Sequence, residues 1–166
     1  MSGREGAIRL RRPVEEDHAG LVTVVDEWWG RHMQASLPRL WLQHFAGTSV
    51  IAERDGSASA VGFAIGFVSQ DRPAEAYLHL VGVSPSHRRR GIGRALVDRW
   101  ISQAHERGAR HATTIAWPGD PAALAFLRAV GFRVDDRPGT RPLYGTPSRT
   151  DWNREGDDQV VLHRDC

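Results

Sequence analysis

The chain has 166 residues, the size of a single domain and enough to bury a hydrophobic core. Hydrophobic residues make up 40% and charged residues 25%, ordinary values for a soluble globular protein, and no apolar run approaches the ~20 residues of a membrane span. Net charge is +2 with a pI of 9.3, a balance that does not suggest a nucleic-acid binder, although every one of the 22 basic residues is arginine.

Residues 1–6 read as a loose tail and 7–166 as one domain. The N-terminus lacks the apolar stretch of a signal peptide, and Cys166 is the single cysteine, so no internal disulfide is available. Both point to the cytoplasm. Ala7–Arg11 alternates as a first strand. Pro13 and Glu15-Glu16-Asp17 open a helix through about Trp29, with acids at the positive end of its dipole. Leu37–Phe45 predicts a second short helix. Thr48–Arg54 and Ala60–Val68 predict strands joined by an Asp55-Gly56-Ser57 turn, and Tyr77–Val83 a further strand.

The period then changes. Gly91–Arg107 places Ile92, Ala95, Leu96, Trp100 and Ala104 at helical spacing, with Gly108 as a stop. His111–Trp117 predicts a strand, and Pro121–Val130 a helix capped by Asp120. A short strand follows Gly131-Phe132. Residues 137–157, rich in Pro, Gly, Ser, Thr and Asp, predict a long loop, and Asp158–Arg164 a closing strand. Cys166 is expected to fray. The order β-α-α-β-β-β-α-β-α-β-β describes one mixed α/β sheet.

The chemistry concentrates in Tyr77–Arg94, YLHLVGVSPSHRRRGIGR. Pro85 ends the strand, and Gly91 and Gly93 stand where a helix begins. The first N–H groups of a helix lack internal partners and, with the helix dipole, form an anion site. The two glycines let a diphosphate approach the backbone, and Arg88, Arg89, Arg90 and Arg94 add charge on the rim. A nucleoside-triphosphate loop needs a lysine, and the chain has none. A dinucleotide fold needs a third glycine, and Gly91-Ile92-Gly93 is followed by Arg94-Ala95-Leu96.

The hexapeptide Arg88-Arg89-Arg90-Gly91-Ile92-Gly93 fits [Q/R]-x-x-G-x-[G/A] and resembles the acyl-CoA signature of the GNAT superfamily of N-acetyltransferases. Val81-Gly82-Val83-Ser84-Pro85 before it, and Asp120–Leu127 with Gly131-Phe132 after it, resemble other family segments, over roughly residues 50–133. HFAGTSVIAE (44–53) and GFVSQDRPAEAYLHLVGV (66–83) resemble a bacterial branch of the family with a Trp-rich first helix. The resemblance implies a mostly antiparallel sheet, flanked by helices and splayed after the Tyr77–Val83 strand. It implies acetyl-CoA as acyl donor without a metal, and direct acetyl transfer to a primary amine of a small molecule or peptide. Val81, Gly82 and Val83, the Arg88–Arg94 turn including Ile92, and Asp120 and Phe126 would hold the cofactor.

His79 shares a strand face with Tyr77, Val81 and Val83. The resemblance makes it a candidate base; as a core histidine it would instead bond a backbone carbonyl. Trp28 and Trp29 read as core, groove wall or substrate contacts, and Tyr77 and Tyr144 as further substrate candidates. Two departures stand out: Asp120 replaces an Asn common in the family, and Leu127 falls where the family's usual tyrosine acid would stand. Leucine donates no proton, so a catalytically idle acyl-CoA-binding module is one alternative. A nucleic-acid-binding domain using Arg88–Arg90 is the other, although neither nucleic acid nor membrane is expected as a partner. A homodimer is left open.

Overall fold

The structure, a computed structural model, describes residues 6–166. Of the expected N-terminal tail, residues 1–5 lie outside the described residues. Nine strands are described: β1 (Ile8–Arg11), β2 (Ser49–Arg54), β3 (Ala60–Val68), β4 (Glu75–Val83), β5 (His111–Ala116), β6 (Arg133–Val134), β7 (Arg141–Leu143), β8 (Thr146–Ser148) and β9 (Val160–Asp165). The α-helices are α1 (Asp17–Trp29), α2 (Leu40–His44), α3 (Ile92–Glu106) and α4 (Pro121–Ala129). Seven strands form one sheet in the order β1-β2-β3-β4-β5-β9-β6, mixed because β4 and β5 run parallel while the other registered pairs are antiparallel. No helix among the described residues is long and apolar enough to cross a membrane.

The chain forms two compact units. One holds the residues up to Phe67 with Leu78–Ala104, the other Val68–Tyr77 with His105–Cys166. In the first, α1 buries Leu21, Val25 and Trp28, spaced four and then three residues apart, against Ile51, Phe63 and Ile65. Arg11 fastens its start. The Nε of Arg11 donates to Glu53 of β2 at 2.7 Å, and its other nitrogens donate to both oxygens of Asp17 at 2.8 Å. Arg11 holds the Glu53 and Asp17 carboxyls below the usual carboxylate range by hydrogen bonding to them.

The expected second helix is shorter. Of Leu37–Phe45 only Leu40–His44 is α-helical: α2 starts after Pro38, which lacks the N–H a continuous helix needs, and a separate 3-10 turn, Gln34–Ser36, precedes the expected segment. Asp26 of α1 closes this turn, its Oδ1 accepting the N–H groups of Met33 (2.6 Å) and Gln34 (3.1 Å). α3 buries Ile92, Leu96, Val97, Trp100, Ile101 and Ala104, whereas the predicted core residue Ala95 is exposed.

In the second unit β4 pairs with β5 over Glu75↔His111, Ala76↔Ala112 and Tyr77↔Thr113. β4 continues to Val83 past that last pair, so Val81–Val83, expected to meet the cofactor, lie beyond the ladder. The long loop expected over 137–157 contains a hairpin, β7–β8, with Leu143↔Thr146 closing it. Tyr144 and Gly145 both have positive φ, 48° and 76°, the geometry of a two-residue type I′ turn. Sequence reasoning missed it because Tyr-Gly is not among the usual I′ pairs and the strands are three residues each. Buried Asp135 secures the hairpin's base, accepting from Arg137 Nε at 2.8 Å and Arg149 Nη2 at 3.1 Å. Cys166 does not fray: β9 runs to Asp165, and the Cys166 N–H donates to Arg110 O at 2.9 Å.

Candidate active site

The turn between β4 and α3 has an alternating backbone. The Ser84 N–H donates to Val61 O at 2.8 Å and ties the end of β4 to β3. After a 3-10 turn at Pro85–His87, Arg88 is extended (φ −67°, ψ 159°), Arg89 is left-handed at φ 66°, and Gly91 is left-handed at φ 79°. The Gly91 carbonyl accepts the Ala95 N–H at 3.0 Å as α3 begins, and the N–H groups of that first turn precede the helix's own ladder. A Cβ on Gly91 would meet no protein atom within 4 Å, so glycine is required here for its φ and the space above it is open. Arg89, not a glycine, adopts the left-handed region at a cost of about 1 kcal/mol.

The arginines divide. All four, Arg88, Arg89, Arg90 and Arg94, are exposed on the turn and the helix start, and what sets Arg88 apart is its bonding. Arg88, expected to add charge on the rim, instead donates from Nε to Val83 O at 3.0 Å and from Nη2 to Trp28 O. Ile92 is buried at the start of α3, so only its backbone is offered to a ligand, and Gly93 is buried beside it. Gly82 lies under the Trp29 ring, where a Cβ would stand 2.3 Å from Cη2. Trp28, a substrate candidate, is a core residue at 7% exposure, its ring stacked 5.8 Å from Phe63. Trp29 is half-buried against Phe63 and Gly82, a wall rather than a free ring.

His79 sits half-buried among residues that the sequence pattern did not group with it. Its Nε2 is 2.6 Å from the Ser36 carbonyl, which can only accept, so Nε2 carries the proton and Nδ1 the lone pair. Trp41 stacks on the ring at 4.1 Å and 10°, with Phe45 and Phe67 packed around Trp41. Burial lowers the His79 pKa and the Ser36 contact raises it by less, so the ring is neutral near pH 7. The backbone-carbonyl bond expected of a core histidine is therefore present, and it leaves Nδ1 unprotonated. Tyr77, two residues earlier, has its phenol pushed up to about 12 by burial and stays protonated.

The remaining candidates lie in the second unit. Asp120 caps α4, its Oδ1 accepting the Ala123 N–H at 3.0 Å, so its charge serves its own helix. Phe126 is half-buried on α4, and Leu127 is buried at 5% exposure. Tyr144 is 77% exposed at the hairpin tip, edge-on to Trp117 with ring centroids 6.1 Å apart. Among the described residues no cluster of three or more His, Cys, Asp or Glu side chains could hold a metal ion.

Residues 12–132 match the model of the acetyltransferase (GNAT) family. The chain belongs to that family. An L-2,4-diaminobutyric acid acetyltransferase of Nocardia farcinica is 32% identical over 87% of this chain and 74% of its own length. The enzyme of the same name from Streptomyces coelicolor is 28% identical over 99% and 95%. A diaminobutyrate acetyltransferase from Paenibacillus lautus, solved with its substrate and coenzyme A, has a TM-score of 0.72 at 23% identity, covering 96% of this chain and 95% of that one. Ard1 from Thermoplasma volcanium has a TM-score of 0.75 at 19% identity, covering 96% and 97%. These two solved structures share the fold. The GNAT protein uses acetyl-CoA and transfers its acetyl group to an amine. The idle-module alternative gives way to this activity.

The alternating turn is the feature that fits the cofactor. Coenzyme A carries a diphosphate, and the Arg89–Gly93 backbone offers N–H donors, a helix dipole and open space above Gly91.

Proposed function

We propose that this GNAT enzyme acetylates a small diamino acid, with L-2,4-diaminobutyrate as the first acceptor to test, by direct attack of the amine on the acetyl-CoA thioester. The shared name of the relatives from Nocardia farcinica and Streptomyces coelicolor supports the acceptor class. The observation that carries the mechanism is His79, whose Nε2–H is bound to Ser36 O and whose Nδ1 lone pair is left to accept a proton. The amine nitrogen bonds to the carbonyl carbon, and its proton passes to Nδ1. A backbone N–H near Val81 polarises the carbonyl. Collapse of the tetrahedral intermediate breaks the C–S bond and releases the thiolate. Leu127 offers the thiolate no proton. A thiol of cysteine-like pKa, about 8.5, can leave as the anion and take its proton from water. Val81–Val83 and the Arg89–Arg94 turn would hold the cofactor.

The test is thiol release from acetyl-CoA with a panel of amines: L-2,4-diaminobutyrate, ornithine, lysine, a polyamine and a peptide N-terminus. L-2,4-diaminobutyrate should give the highest kcat/KM. Preference for the peptide would refute the acceptor assignment and leave acetyl transfer standing. His79→Gln should lower kcat by roughly 100- to 10000-fold and flatten the acid limb of the pH–rate profile. Turnover within about threefold of wild type, far short of a general base's usual contribution, would rule out His79 as the base.

A further inference from the structure

We infer that Arg88 is a positioning residue, fastening the acetyl-CoA turn to the end of β4 and to the C-terminal end of α1, and not a ligand of the cofactor phosphates. A guanidinium presents Nε–H and one Nη–H side by side in a rigid fork. In this protein the fork spans two backbone carbonyls, Val83 O at 3.0 Å from Nε and Trp28 O at Nη2. Val83 is the last residue of β4, and Arg88 opens the alternating turn.

The partner at α1 has its own reason to want a cation. The last four carbonyls of a helix lack intrahelical donors and carry the negative end of its dipole. α1 ends at Trp29 and has no basic residue in its last turn. The Gly30 N–H caps Glu27 O at 3.3 Å, and Arg88 supplies the donor and the charge for Trp28 O. A second contact holds the same junction, because the ring of Trp29 lies on Gly82. Two consecutive residues of α1 thus meet the turn and the strand before it. The segment after α1 leads to Ser36, whose carbonyl orients His79. Arg88 therefore stands between the cofactor turn and the segment that holds the base.

The inference separates from a phosphate-ligand role in three measurements on the full chain: wild type, Arg88→Lys and Arg88→Ala. Lysine keeps the charge and loses the fork, so it could replace a phosphate ligand but cannot span two carbonyls. In cofactor-free protein, both variants should speed amide hydrogen exchange at the end of α1 by about fivefold to tenfold. Both should raise KM for acetyl-CoA and also lower kcat at saturating acetyl-CoA. The salt dependence of CoA affinity should stay that of wild type. If Arg88→Ala lacks a cooperative melt, Arg88→Lys carries the test. Unchanged exchange in Arg88→Lys, with CoA affinity near wild type, would overturn the inference. So would a weakened salt dependence in Arg88→Ala, the mark of a lost phosphate contact.

Discussion

Two tight turns in this molecule use the same backbone device for different ends. At 89–91 and at 144–145 a bulky residue and a nearby glycine both take positive φ: Arg89 and Gly91 in one, Tyr144 and Gly145 in the other. In the first, the two left-handed residues are separated by Arg90 and feed directly into a helix, whose first N–H groups lie next to the open space above Gly91. In the second, the left-handed residues are adjacent and reverse the chain into a hairpin, so the backbone is consumed by its own ladder. Positive φ is not the signal of a site. Its spacing, and whether a helix or a strand comes next, decide whether a turn can serve a ligand.

The comparison can be broken at the supports of each turn. The largest effect is expected at Gly82→Ala, beside the β4–α3 turn, because the added Cβ would sit 2.3 Å from the Trp29 ring, which packs against Phe63 and would have to shift. We expect a loss of about 2–3 kcal/mol, or roughly 4–12 °C in Tm, read by thermal denaturation. A Tm within a degree of wild type would mean that the ring is free to move.

The hairpin's support is Asp135. Hydrogen bonds from Arg137, opposed by burial and aided by Arg149, hold its carboxyl well below the usual carboxylate range. A depressed carboxyl contributes stability that is full above its unfolded value of about 3.9 and is lost as pH falls toward the folded value. Asp135→Asn should therefore cost about 2 kcal/mol at pH 7 and progressively less as the pH drops below 4. Denaturant melts between pH 3 and pH 7 would check this, and a constant difference across that range would contradict it.

The smallest effect sharpens the comparison. Tyr144→Asn places the preferred Asn-Gly pair in the type I′ turn and removes an exposed ring from Trp117. We expect a gain of about 0.5 kcal/mol and unchanged CoA affinity. A destabilised variant would show that the Trp117 contact, rather than the turn, holds the hairpin.

The sequence made the β4–α3 turn legible because its signals are local: a strand ending at Pro85, arginines, and two glycines at a helix start. Strand β3 and helix α4 were legible for the same reason, and Asp120 caps α4 as its position suggested. Three features were not. Arg88 could not be told from its neighbours, since its partner Trp28 lies 60 residues away in the chain. The Ser36 and Trp41 contacts of His79 depend on how the Gln34–Ser36 turn and α2 fold back onto β4. The β7–β8 hairpin was hidden because its strands are too short to alternate visibly.

The most direct measurement is calorimetric titration of wild type and Gly91→Glu with coenzyme A. The substitution forces a side chain into φ 79° and sets a carboxylate where the diphosphate should sit. Wild type should bind saturably, and the variant should lose about 100-fold or more in affinity while keeping a cooperative melt, because a Cβ there meets no protein atom within 4 Å. Equal affinity in the two proteins would contradict the assignment of the Arg89–Gly93 turn as the seat of acetyl-CoA.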